Sequence, residues 1–295
     1  MILSSISQGL LWSIMAIGVY ITFRILDMAD LTAEGSFTLG ASVSAAMIVT
    51  GNSPVLATIS AFLCGLAAGC VTGLLHTALK IPSLVAGILT MTGLYSVNLR
   101  VMGKSNIGLA LTDRTLMTFF LDKGMTNNQA ALAVGLIVVA IVVVLLYFLF
   151  QTSLGLAIRS TGDNEEMSLA NGINTNRMKV YGFMLSNGLI ALCGALMMQN
   201  NGYADSGMGI GTIVIGLASI IVGEVLLKNV TLVFRFLMTV AGSIIYRLII
   251  VWVMNLSFVN PNDLRLFSAI ILTLALATPL IKKPNGTKHK QAAKR

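Results

Sequence analysis

Charge is absent from long intervals of this chain, and those intervals decide what it can fold into. No Asp, Glu, Lys or Arg occurs from Ile81 to Leu99, from Gly124 to Ile158, from Val180 to Ala204 or from Leu266 to Ile281. A fifth interval, Gly35 to Leu79, is also free of them and is divided by the polar stretch Thr50-Gly51-Asn52-Ser53-Pro54. A helix crosses roughly 30 Å of hydrocarbon with about 20 apolar residues. Each interval except the shortest is long enough for one crossing, and 35–79 for two. Only 10% of the 295 residues are charged and 56% are hydrophobic, whereas soluble domains carry about 25% charged residues. A soluble globular domain is excluded. The apolar runs are continuous instead of alternating and aromatics are 7%, which argues for helices over the strands of a membrane barrel. The expected fold is all-α, a polytopic helical membrane protein.

Run length places crossings at roughly 5–24, 34–50, 55–79, 83–102, 129–150, 179–200, 209–227, 231–254 and 264–281. That makes nine, within a range of about eight to ten. The stretch Met1 to Phe23 has no basic start and no Ala-x-Ala-like cleavage site, so it reads as a first crossing and not as a signal peptide. Residues 1–281 form one membrane domain and 282–295 a basic tail. The tail carries six Lys or Arg and no acid, leaving 13 cations against 11 acids in the body. A basic end after an apolar run belongs on the cytoplasmic side. Arg159, Arg177 and Lys179 put the polar segment 151–178 on that side too. The loop 103–128 then falls outside. No aromatic residue interleaves the tail, so nucleic-acid binding is not expected.

Cys64, Cys70 and Cys193 lie inside apolar runs without metal-ligand spacing, and buried small apolar residues are the plain reading. The chain has no Gly-xxxx-Gly-Lys-(Ser/Thr) phosphate loop, no His-Glu-xx-His and no defensible Ser/His/Asp arrangement. An enzyme is not expected, nor a cofactor or metal, and the chain cannot itself bind and hydrolyse ATP through such a loop. Gly65, Gly69 and Gly73 form a Gly-xxx-Gly ladder of the kind that lets helix backbones approach in lipid. Packing within the chain is expected there, ahead of a dimer seam. Two polar breaks, 27–41 and 203–211, both carry Ala-Asp near their start and pass through Gly into an apolar run. Paired, interrupted helices of this kind often lie close to a transport path.

The segment 153–178 is the most informative. Asp163 and Glu166 have capping-box spacing, Met167, Leu169, Ala170 and Ile173 give a small apolar side, and Gly172 ends the helix after roughly two turns. So short a helix between two crossings wants a partner's groove for its apolar side. The alternative is a helix lying on the membrane surface.

Here the chain resembles the membrane permease subunit of bacterial ABC importers of the branched-chain-amino-acid and ribose type, over nearly its whole length. Gly155, Ala157, Arg159, Ser160, Asn164, Gly172, Ile173, Asn174 and Arg177 fit the family pattern, with Leu169-Ala170 in the apolar positions before the glycine. Ser186, Ala191, Gly194 and Ala195 are similar to its small-residue helix, 27–41 to its entrance to the second helix, and 81–94 to its fourth. The resemblance implies that 160–174 is a coupling helix gripped by a cytoplasmic ATPase. It also implies a pore of two permease copies, expected to be a homodimer, and an extracellular solute-binding protein. Coupling would rest on Arg159, Asp163, Glu166, Leu169, Ala170, Gly172 and Ile173. For the substrate path, ionisable and polar groups in apolar runs are the candidates: Glu34, Ser36, Asn98, Asn187 and Arg247. Arg247 either faces a substrate carboxylate or pairs with Glu224 or Asp205. The resemblance is to a branch whose binding proteins take amino acids, so amino acid uptake is expected. Sugar or nucleoside import, or an ion-coupled secondary transporter, are the alternatives.

Overall fold

The computed structural model describes residues 2–110, 112–226 and 231–254, with 266, 269, 270 and 273 beyond them. Within these it is a helical bundle. α1 (Ile2–Tyr20) runs on into a π turn, Ile21–Ile25. There follow α2 (Thr32–Val49), α3 (Pro54–Thr77), α4 (Ser83–Met102), β1 (Asn106–Gly108), α5 (Thr118–Leu121) and α6 (Asn127–Gln151). The second half holds α7 (Ser153–Asp163), α8 (Glu165–Ala170), α9 (Thr175–Asn201), β2 (Tyr203–Asp205), α10 (Thr212–Leu226) and α11 (Leu232–Met254).

Local chemistry sets many of these ends. Ser53 accepts the Leu56 N–H at 3.3 Å and Pro54 takes the first turn of α3, where its missing N–H costs nothing. Thr126 and Gln129 form a reciprocal capping box at α6. Gly103 and Gly202 close α4 and α9 in the left-handed region, at φ 69° and 78°.

Six helical stretches are long and apolar enough to cross a bilayer: 2–25, 54–77, 83–102, 127–151, 175–201 and 232–254. Two more expected crossings are helices that fall short of that test, α2 with 18 residues and α10 with 15. α2 can be rich in Ser, Thr and Gly because most of its residues are buried among its neighbours. A helix sheathed by protein does not need an apolar surface for lipid. The ninth expected crossing, 264–281, and the basic tail lie outside the described residues, apart from the four positions named above.

α9 is the hub, buried along most of its length, whereas α4 and α6 expose most of theirs. The glycine ladder of α3 faces it. A Cβ at Gly65 would sit 2.5 Å from the Asn187 carbonyl, one at Gly69 would strike the Phe183 carbonyl, and one at Gly73 would lie 2.8 Å from Val180 Cα. Gly40 of α2 meets the Ala191 carbonyl, and Gly194 of α9 meets the Phe37 carbonyl. The ladder is an internal seam, as expected, with backbone on backbone across it.

At the end of the bundle where α9 terminates, β1 and β2 pair antiparallel, Asn106 with Asp205 and Gly108 with Tyr203. This pair ties the loop after α4 to the break before α10. At the other end the expected single short helix within 151–178 is corrected to two. α7 is a separate helix of 11 residues, started by Thr152, whose hydroxyl accepts the Gly155 N–H at 3.3 Å.

Candidate functional site

α8 is a six-residue helix fastened at both ends. Asn164, extended at φ −159° and ψ 106°, accepts the Met167 N–H at 2.9 Å. The expected capping pair of Asp163 and Glu166 is therefore corrected by one residue. Asp163 is still helical as the last residue of α7, and only Asn164 has the extended backbone that a cap needs. At the far end Gly172 has φ +79°. Its N–H donates to Leu169 O at 2.9 Å and the Ile173 N–H to Ser168 O at 3.0 Å, the paired bonds of a Schellman ending.

Side chains lock this helix to the bundle. Ser168 donates to Asn164 O at 2.9 Å, so the Ser160 hydroxyl donates to Ser168 at 2.6 Å. Glu165 accepts from Lys179 Nζ at 2.6 Å and from the Thr175 hydroxyl at 3.1 Å, both on α9. The Lys179 ammonium, through its hydrogen bond, holds the Glu165 carboxyl below the usual carboxylate range. α7 is fixed in turn, because a Cβ at Gly162 would strike the carbonyl of Ile25 in the π turn, and one at Gly155 that of Leu149. Contact thus runs from α8 through the serine pair to α7, and from Gly162 to the end of α1. A π turn is a frequent mark of a functional bend. The chain leaves it through Asp27, in the left-handed region at φ 54°.

α8 turns two large apolar side chains outward. Met167 is 55% exposed and Leu169 54%, and Glu166, Ala170 and Gly172 are also exposed. Ile173, expected on the same side, is half-buried. Arg159 and Asp163 of α7 are exposed and line a polar cleft of about 160 Å³ with Arg24, Arg235 and Tyr20. Beside it Arg24 pairs with Glu224.

The residues expected on the substrate path separate into three groups. Ser36 and Asn187 belong to a buried network. Ser36 donates to Asn187 Oδ1 at 2.7 Å, and Asn187 Nδ2 donates to Asp30 Oδ2 at 2.7 Å and to Phe183 O at 3.0 Å. Asp30 Oδ1 accepts the Thr32 N–H at 2.9 Å. All of these groups are buried, so the network knots the start of α2 to α9. Asp30 was not among the residues expected on the substrate path, although it is the acid of the Ala-Asp step that the first polar break shares with the second.

Glu34 and Asn98 form the second group. They line an open cavity of about 390 Å³ together with Thr38, Met91, Tyr95 and Ile210. About 100° of turn per residue puts Glu34 and Ser36 on nearly opposite faces of α2. The cavity lies where the two polar breaks meet. Gly209 has its Cα pressed on the Glu34 carbonyl, where a Cβ would collide with it, and the Gly211 N–H donates to Glu34 Oε1 at 2.8 Å. Asn98 Nδ2 donates to Gly35 O at 3.3 Å.

Arg247 stands apart as the third. Its guanidinium grips Gln8 of α1, with Nε at 3.0 Å from Oε1. The expected pairing with Glu224 or Asp205 is corrected, since Glu224 is taken by Arg24 and Asp205 Oδ1 accepts the Gly207 N–H. Among the described residues no group of three or more His, Cys, Asp or Glu side chains gathers that could hold a metal ion. His76 Nδ1 lies 2.8 Å from Ile81 O at the end of α3.

Comparison with known proteins places this geometry. A family described as "Branched-chain amino acid transport system / permease component" matches residues 1–277. A relative named "Tyrosine transport system permease protein" from Clostridioides difficile is 45% identical over 94% of this chain and 90% of its own length. The "Autoinducer 2 import system permease protein LsrC" of Yersinia enterocolitica is 27% identical over 78% of this chain and 61% of its own length. In solved structures the fold recurs in "PsaBC from Streptococcus pneumoniae in complex with Fab", at TM-score 0.55 and 15% identity, covering 92% of this chain and 90% of that one.

Proposed function

The chain belongs to the family of branched-chain amino acid transport system permease components, and from that premise we propose that it is the membrane subunit through which an ATP-driven importer takes up amino acids. It is an ABC permease and a multi-pass membrane protein, of a family whose members are permeases and not enzymes. The observation that carries the finer reading is α8, capped at both ends and offering Met167 and Leu169 outward. Two large apolar side chains on a rigid exposed helix fit the groove of a separate ATPase subunit. The acids at its start, Glu165 and Glu166, are poor company for lipid.

In this reading ATP binding closes a pair of ATPase subunits, and each presses on the α8 of one permease copy in a homodimeric pore. α7 passes the movement to the π turn and so to the segment that leads into α2. Asp30, Ser36 and Asn187 keep that segment in register with α9, while Glu34 and Asn98 face the solute. ATP acts only through the difference between its affinities for the inward-open and outward-open states. An extracellular solute-binding protein delivers the solute at the end of the bundle opposite α8. The side of α8 is then cytoplasmic, as is the tail 282–295.

The relative named for tyrosine transport supports an amino acid as the solute. The relative named for autoinducer 2 import favours, as a second reading, a solute of another class. The test is uptake of L-tyrosine into vesicles holding the reconstituted complex. ATP-dependent uptake that an ionophore does not abolish is the expected result. Uptake that survives ATP depletion and dies with the ionophore would make this an ion-coupled carrier. Gly172→Pro and Arg159→Glu are both expected to abolish uptake at unchanged membrane levels, and normal transport by either would remove the coupling role. Proline cannot take the φ of +79° at Gly172.

A further inference from the structure

The cavity between α2, α4 and the break before α10 carries chemistry of one sign. Among the described residues Glu34 is its one acidic lining group, and no Lys, Arg or His lines it. Asn98 stands in its wall, 1% exposed. Gly35 O accepts from the Asn98 amide, which fixes the NH₂ on that side and leaves Oδ1 pointing elsewhere. That oxygen is buried and has no hydrogen-bond partner. A buried acceptor left unpaired costs about 1–3 kcal/mol, and it is relieved by an occupant that brings N–H donors. The rest of the wall is Met91, Ile210 and the half-exposed ring of Tyr95, with the hydroxyl of Ser206 and those of Thr38 and Thr92, which already donate to Glu34 O and Ile88 O.

We propose that this cavity is an ammonium subsite, in which Asn98 Oδ1 and the Glu34 carboxylate take the amino group of a solute while Met91, Tyr95 and Ile210 hold its apolar part. An acidic site whose described lining offers two acceptors and no cation selects for the amine end of an amino acid and against its carboxylate. A carboxylate entering alone would meet Glu34 as a like charge. The Gly211 N–H holds one Glu34 oxygen, which orients the carboxylate. Because Glu34 takes this bond from the second break and Gly209 packs on its backbone, an occupant pulling on Glu34 also pulls on both interrupted helices.

The inference rests on the amino acid reading above, and its test is separable from it. Full-length protein in phosphatidylcholine and phosphatidylglycerol nanodiscs, free of any lipid primary amine, is assayed for binding of three probes. These are L-tyrosine, tyramine, which lacks the carboxylate, and 3-(4-hydroxyphenyl)propionate, which lacks the amine. L-tyrosine and tyramine are expected to bind at least tenfold more tightly than the deaminated acid. Glu34→Gln and Asn98→Leu are each expected to weaken tyramine at least tenfold while leaving the thermal unfolding midpoint in place. Should Asn98→Leu not fold, Glu34→Gln decides alone, since its amide oxygen still accepts from Gly211. Failure of tyramine to bind, tyramine binding no better than the acid, or unchanged affinity in Glu34→Gln overturns the subsite. If ATP-driven L-tyrosine uptake persists beside that result, the subsite falls and the importer reading stands. If the complex imports no amino acid, the importer reading falls on its own evidence.

Discussion

The seam between α3 and α9 and the elbow of α7 and α8 are both shaped by glycine and serine, and they use them for opposite ends. Along the seam Gly65, Gly69 and Gly73 let two backbones touch, and the polar groups nearby, Ser36, Asn187 and Asp30, satisfy one another out of reach of water. At the elbow Gly172 and the Ser160–Ser168 pair hold a short helix still, yet Met167 and Leu169 remain uncovered. The seam is complete within one chain. The elbow is rigid but incomplete, which is the condition of a surface made to be held by another polypeptide. Fixing a short helix costs entropy that its own few contacts do not return, so its order comes from caps and from Glu165 on Lys179.

The contrast predicts different failures on the two sides. Gly69→Leu puts a branched side chain against the Phe183 carbonyl and is expected to destabilise by about 3 kcal/mol or more. The measure is the loss of monodisperse protein after detergent extraction. A variant that stays folded and active would show that the seam is looser than described. Leu169→Asp, by contrast, is expected to leave the unfolding midpoint alone and to lower ATP-driven uptake more than tenfold. A fall in the midpoint instead would mean that α8 serves the fold and not a partner.

Asn187→Leu sharpens the inner half of the comparison. It strips Asp30 and Ser36 of partners they have at 2.7 Å, at roughly 1–3 kcal/mol for each buried group left unpaired. Thermal unfolding reads the sum. The smallest effect belongs to Glu165→Gln, because the carboxylate is 43% exposed and such a pair contributes at most about 1 kcal/mol. Its sign with pH is fixed by the Lys179 bond, which depresses the folded-state pKa of Glu165. The contribution is present above the ordinary carboxylate range and is lost as pH falls through and below it. Hydrogen exchange of the 165–173 amides, faster at pH 3 than at pH 6 after correction for intrinsic rates, is the expected signature. Equal protection at both values would mean that the caps alone hold the helix.

Six of the nine expected crossings were legible in the sequence because the bilayer imposes a length on apolar runs. The glycine ladder was legible as a seam, and its spacing also suited a second copy. Only the carbonyls of Phe183 and Asn187 in its path name its partner. The cap of α8 was misread by one residue. Asp163 and Asn164 are both good cap residues, and the choice lies in backbone dihedrals that composition does not carry. α7 left a signal in Gly155, Ile158 and Gly162, whose spacing of three and four marks a packed helix face. Arg247 was matched with acids in the sequence, but its partner is the amide of Gln8, more than 230 positions away. The two polar breaks looked alike, and that likeness marked them as a pair. That Glu34 is the point where they meet follows from the packing of α2 alone.

The claim that α8 is held by a separate ATPase is tested most directly by photo-crosslinking in intact membranes. A photoreactive phenylalanine analogue is placed at Leu169, and at Tyr203 as the control at the opposite end of the bundle. A covalent adduct with the ATPase subunit is expected from position 169, changed in yield by ATP, and none from position 203. An ATP-driven importer that gives no adduct at 169, or gives it only at 203, would contradict that claim.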